Sequence, residues 1–90
     1  MKISYHPEKR AVTFAERGLD FEDAATLFHG PEYTVADDRR DYGEQRLLTY
    51  GLLENRMVMV VWTLRGDARH IISMRKCNDR EKARFERKLD

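Results

Sequence analysis

Cations are concentrated in and beside one short stretch. Arg65, Arg69, Arg75 and Lys76 fall within residues 56–76, and Arg46 lies just ahead of them. Guanidinium groups grip phosphate through paired N–H donors and keep their charge at any useful pH. Cutting RNA without a metal needs a base for the 2′-hydroxyl proton, cations for the pentacoordinate phosphate and an acid for the departing 5′-oxygen. Glu44 and His70 are the local titratable candidates for the base and the acid. Each also has a plainer reading: Glu44 as the ion-pair partner of Arg46 or Arg65, and His70 as a buried strand residue. Spacing alone leaves both readings open.

Other chemistries find less support. His6, His29 and His70 are far apart, and none has a partner at HxxxH or CxxC spacing, so no metal or cofactor is expected. There is no glycine-rich phosphate loop and no GxSxG elbow. Cys77 follows a basic strand end, which could depress its pKa, but a plain boundary thiol is the simpler reading. Arg65-Gly66-Asp67 reads as turn chemistry rather than an adhesion motif.

The elements that position the cations follow from the apolar pattern. Met57 to Leu64 is apolar or β-branched throughout, which suits a central strand covered on both faces. Gly66-Asp67 supplies a type II′ turn, and Ala68 to Lys76 returns as a second strand. Strict alternation puts Arg69, Ile71, Ser73 and Arg75 on one face, and His70, Ile72, Met74 and Lys76 on the other. Upstream, Lys2 to Tyr5 is a short strand. Pro7 opens a first helix with Ala11, Phe14 and Ala15 at helical spacing and Gly18 as its C-cap. Asp20 caps a second helix whose stripe is Phe21, Ala24, Ala25 and Phe28. Tyr33 to Ala36 and Arg46 to Leu53 are strands separated by the polar loop DDRRDYG. Asn78 and Glu81 form a capping box at the start of a charged last helix, whose few apolar residues predict light packing and easy undocking.

Ninety residues, 41% hydrophobic and 37% charged, describe one ordered domain over residues 1–90. No apolar run approaches the roughly 18 residues of a membrane span. The start lacks a signal-peptide core and Cys77 is the single cysteine, so the cytoplasm is the expected compartment. Residues 1–55 hold 7 Lys/Arg against 11 Asp/Glu; residues 56–90 hold 10 against 5. One basic half on a near-neutral chain can present a face to a polyanion.

Four pieces carry a family resemblance: HPEKR near the start, ERGLDFEDAATLF across the helices, GEQR before the third strand, and TLRGDARHIISMRK at the centre. In that order and spacing the chain resembles the BrnT toxins of bacterial type II toxin–antitoxin pairs, over nearly its whole length. The resemblance implies an α+β fold of the RelE type: a twisted antiparallel sheet with helices on one side, in the order β-α-α-β-β-β-β-α, with an N-terminal helical hairpin and a C-terminal helix. It implies metal-independent RNA cleavage that stops translation. The implied partner is a DNA-binding BrnA-like antitoxin, through which alone the toxin would meet operator DNA.

Carried over residue by residue, the family's lysine matches Lys9, its Glu-x-Arg matches Glu44 and Arg46, and its hairpin arginine matches Arg65. Its Arg-Ile-Ile-Ser-x-Arg matches Arg69 through Arg75, with His70 inserted. Departures include His6 for aspartate, Thr13 for asparagine, Glu16-Arg17-Gly18 for Lys-His-Gly, and Met74 and Cys77 for small residues. Arg75, Arg65, Glu44 and Arg46 are thus the expected catalytic set. Lys9, Arg69, His70 and Lys76 are expected to hold RNA, and Arg75 is expected to matter most. The rival reading is a non-catalytic module that binds nucleic acid or antitoxin through the same basic face.

Overall fold

The computed structural model describes residues 1–89. It is a mixed α+β fold with five strands in one sheet and three helices. In chain order these are β1 (Lys2–Tyr5), α1 (Pro7–Arg17), α2 (Ala24–His29), β2 (Glu32–Ala36), β3 (Leu47–Leu53), β4 (Arg56–Arg65), β5 (Ala68–Lys76) and α3 (Asp79–Phe85). A 3-10 turn over Phe21–Asp23 leads into α2, and another over Glu86–Lys88 follows α3.

Local signals explain most boundaries. Pro7 stands at the start of α1, and Gly18 closes it with φ 69°, its N–H donating to the Phe14 carbonyl. Glu54 and Asn55, at φ 50° and 64°, make the tight β3–β4 turn, and Gly66 at φ 63° makes the β4–β5 turn. The Asn78–Glu81 capping box is fully formed.

The sheet order is β1-β5-β4-β3-β2. Three pairs are antiparallel, but β1 lies parallel to β5, with Ser4 opposite His70. The expectation of a wholly antiparallel sheet is therefore corrected. So is that of a helical hairpin following β1, because a 3-10 turn intervenes between α1 and α2 and α1 buries no residue. Helices also cover both faces rather than one. Phe21, Leu27 and Phe28 pack on Val58, Val60, Trp62, Ile71 and Met74. On the opposite face Phe85 and Leu89 pack with Tyr50, Met57, Met59 and Val61.

Helix α1 buries no residue, and Phe14 is 59% exposed. Polar ties hold it instead. Arg10 makes a bidentate pair with Asp20 at 2.8 and 3.1 Å, and Arg17 donates to the Met74 carbonyl at 2.8 Å. The apolar stripe expected on α1 is thus not a packing face, while Leu27, outside the stripe expected on α2, is fully buried. Gly51 makes room for it: a Cβ there would stand 2.7 Å from the Leu27 side chain.

Helix α3 is anchored more firmly than its composition suggested. Phe85 stacks on Tyr50 with ring centroids 4.0 Å apart, and burying such a ring contributes about 1.5–3 kcal/mol. The Cys77 thiol belongs to the same cluster, and burial pushes its pKa up to about 11. That is the opposite of an activated cysteine.

Candidate active site

One irregularity decides which cations meet. The β4–β5 register shifts by a residue: Val61 faces Ser73, but Trp62 faces Ile71, so Ile72 is the extra residue of a bulge. Alternation resumes out of phase beyond it. Arg69 therefore lies on the α2 face, its guanidinium 4.5 Å from the Phe28 ring centroid and 4.6 Å from that of Trp62. Arg75 lies on the α3 face beside Met59. The expectation that Arg69 and Arg75 share a face is corrected.

Arg75 is also engaged. Its two terminal nitrogens donate to the Glu81 carboxylate at 2.7 and 2.6 Å, which raises the pKa of Arg75 and lowers that of Glu81. Lys76 faces Val58 at the far end of β5. Arg65 stands six residues beyond Met59 along β4, which places it about 20 Å from Arg75 at roughly 3.3 Å per residue.

Near the β4–β5 turn a different group comes together. Glu44 lies 3.7 Å from Arg46 through one carboxylate oxygen and 3.7 Å from Arg65 through the other. Both separations exceed hydrogen-bond length, so both guanidiniums keep their donors. Arg46 Nε is buried and, among the described residues, has no hydrogen-bond partner. Arg10, Arg39 and Arg75 differ sharply, since each is clamped on a carboxylate at 2.6–3.1 Å. A buried donor left unpaired costs stability and is rare without a reason. A tetrahedral anion would supply the acceptors these two arginines lack.

His70 completes the group. It faces Thr63 across β4 and Ser4 across β1, and its Nδ1 shares a 2.9 Å hydrogen bond with Ser4 Oγ. Burial, then the positive charge of Arg65, lowers its pKa below the ordinary 6.5; Lys9 and His6 act in the same direction, and Glu44 opposes them. The shift favours the neutral imidazole, the form able to accept a proton. Thr63 fixes the neighbouring backbone by donating to the Gln45 carbonyl at 2.6 Å.

The chain matches a family model described as the ribonuclease toxin BrnT of type II toxin–antitoxin systems, over residues 5–81. The chain belongs to the BrnT toxin family. No curated protein matches it in sequence. Membership makes this a toxin of the ribonuclease class, one whose system includes an antitoxin partner. Within this BrnT chain, Glu44, Arg46 and Arg65 are brought together, with Lys9 in the field of His70. Arg69, Arg75 and Lys76 stand apart from them. Ser4 was missed because only the parallel β1–β5 pairing brings it to His70. Among the described residues no three His, Cys, Asp or Glu side chains are grouped to hold a metal ion, and no helix is long and apolar enough to cross a membrane.

Proposed function

We propose that this protein is a metal-independent endoribonuclease whose cleavage centre is Glu44, Arg46, Arg65 and His70. The observation that carries the reading is the loose pairing of Glu44 with two arginines at 3.7 Å, beside a histidine whose Nδ1 is tied to Ser4. His70 accepts the 2′-hydroxyl proton. The 2′-oxygen then bonds to phosphorus, and the bond to the 5′-oxygen breaks. Arg46 and Arg65 donate to the phosphate oxygens as negative charge builds on them. The 5′-oxygen leaves with a proton from solvent, giving a 2′,3′-cyclic phosphate and a 5′-hydroxyl.

Glu44 holds the two guanidiniums side by side. With Nδ1–H donated to Ser4, the His70 Nε2 lone pair is left to act as the base. Lys9 adds positive charge for neighbouring phosphates. Arg75 lies outside the centre and clasps α3. In the cell, cleavage of RNA in the cytoplasm would stop translation until a BrnA-like, DNA-binding antitoxin covered the basic end of the sheet.

RNA cleavage by the purified protein is expected to persist in EDTA. Activity that disappears in EDTA and returns with a divalent ion would contradict the mechanism.

A further inference from the structure

The loop between β2 and β3 is built, although it has no regular structure. Its ends are joined, because the Asp37 backbone N–H donates to the Arg46 carbonyl at 2.8 Å. The Asp37 side chain, only 1% exposed, accepts from Arg39 Nε and Nη2 at 2.7 and 2.8 Å and from the Tyr42 hydroxyl at 3.2 Å. The Arg39 guanidinium holds its carboxyl well below the usual carboxylate range. Gly43, at φ 75°, turns the chain and donates to Asp41 at 2.8 Å.

This scaffold sets the Tyr42 ring 4.0 Å from the Arg46 guanidinium and 5.1 Å from that of Arg40. Arg46 is one of the two cations held loosely by Glu44. Arg40 is exposed and, among the described residues, has no hydrogen-bond or ionic partner. A loop-held ring and an exposed guanidinium over it thus stand one side chain away from the Arg46–Arg65 pair.

Stabilising the loop accounts for Asp37, Arg39 and the Tyr42 hydroxyl. It gives no reason for a second, unpaired arginine against the ring. Bases of single-stranded RNA stack on aromatic and guanidinium planes, and cations beside them follow the backbone. We propose that Tyr42 and Arg40 form a stacking subsite for the nucleobase next to the scissile phosphate, and so influence which nucleotide is cut. The proposal rests on the reading of Glu44, Arg46, Arg65 and His70 as the cleavage centre.

The test has two arms on folded protein, with thermal melts as the check on each variant. The first measures binding of a labelled, uncleavable 2′-O-methyl single-stranded RNA. Tyr42→Ala is expected to weaken binding about 5- to 100-fold, while Tyr42→Phe, which keeps the ring, retains most of it. Arg40→Ala, at an exposed position outside the loop scaffold, is expected to weaken binding as well and stands in if Tyr42→Ala does not fold. The second arm maps cut positions on a mixed-sequence RNA, where the Tyr42→Ala and Arg40→Ala patterns should differ from wild type. Unchanged binding and an unchanged pattern, in a wild type that cuts, would overturn the subsite and leave the cleavage centre standing. A wild type that binds through Tyr42 but cuts nothing would leave the subsite standing and overturn the centre. A wild type that neither binds nor cuts would overturn both.

Discussion

Replacing Arg65 with alanine is expected to slow RNA cleavage on the order of 10²–10³-fold, the usual cost of losing one preorganised donor to transition-state charge. The fold should be nearly indifferent to the change. Arg65 is 55% exposed at its side chain, and its one ionic contact among the described residues is the 3.7 Å approach to Glu44; exposed pairs of that kind contribute about 0–1 kcal/mol. Arg75→Ala should show the opposite pattern. It removes both hydrogen bonds to Glu81 and with them the clasp on α3. In a partly exposed setting that costs about 1 kcal/mol, or roughly 4–8 °C in Tm for a domain of this size. Cleavage by the protein that remains folded should be close to normal. Rates measured beside thermal melts decide between the two arginines: a large rate loss in Arg75→Ala with none in Arg65→Ala would move the centre to the α3 end of the sheet.

The second large effect concerns His70. Removing a general base lowers the rate on the order of 10²–10⁴-fold, and His70→Ala is expected to fall in that range. The pH profile gives the sharper test. The active form of the base is the neutral one, so the rate should rise with pH through the folded-state pKa of His70 and level off above it. Burial and Arg65 lower that pKa, so the limb should lie below pH 6.5. Arg65 contributes positive charge that disfavours the imidazolium. Its removal should therefore move the limb of the residual activity to higher pH, as well as lowering the plateau. Profiles of wild type, Arg65→Ala and His70→Ala check this. A limb in wild type that survives unchanged in His70→Ala would assign the titration to another group.

Much of the fold was legible because its signals are local. Pro7, Gly18, Gly66 and the Asn78–Glu81 box each act within a turn of their own position, and each does in the structure what its chemistry dictates. The apolar run from Met57 marked the central strand for the same reason. The face assignments beyond Ile72 were not legible. The bulge adds one residue with no glycine or proline to announce it, and a single added residue reverses every side chain that follows. Alternation alone therefore places Arg75 with Arg69, and its pairing with Glu81 is hidden because Glu81 already has a local role in the capping box.

Non-local pairing was equally out of reach. Nothing in Lys2 to Tyr5 says that it will lie parallel to β5 and bring Ser4 to His70. Helix α1 misled for another reason. Its apolar spacing is real, but Arg10 and Arg17 hold it through polar contacts, and Phe14 stays outside. In the site, Glu44, Arg46 and Arg65 were legible as a pattern of residue types. Tyr42, Arg40 and Asp37 stood in plain view as a charged loop, but their mutual contacts exist only once the loop is closed by Asp37 and Arg46.

In the proposed mechanism this cluster directs the 2′-hydroxyl of RNA at the adjacent phosphate. The most direct measurement is the chemistry of the new ends formed when purified protein cuts a single-stranded RNA in EDTA, with a second RNA carrying a 2′-deoxy residue at the cut position. The first RNA is expected to end in 2′,3′-cyclic phosphate and 5′-hydroxyl groups, and the second is expected not to be cut at that position. Ends bearing a 3′-hydroxyl and a 5′-phosphate, or cutting that ignores the missing 2′-hydroxyl, would contradict it.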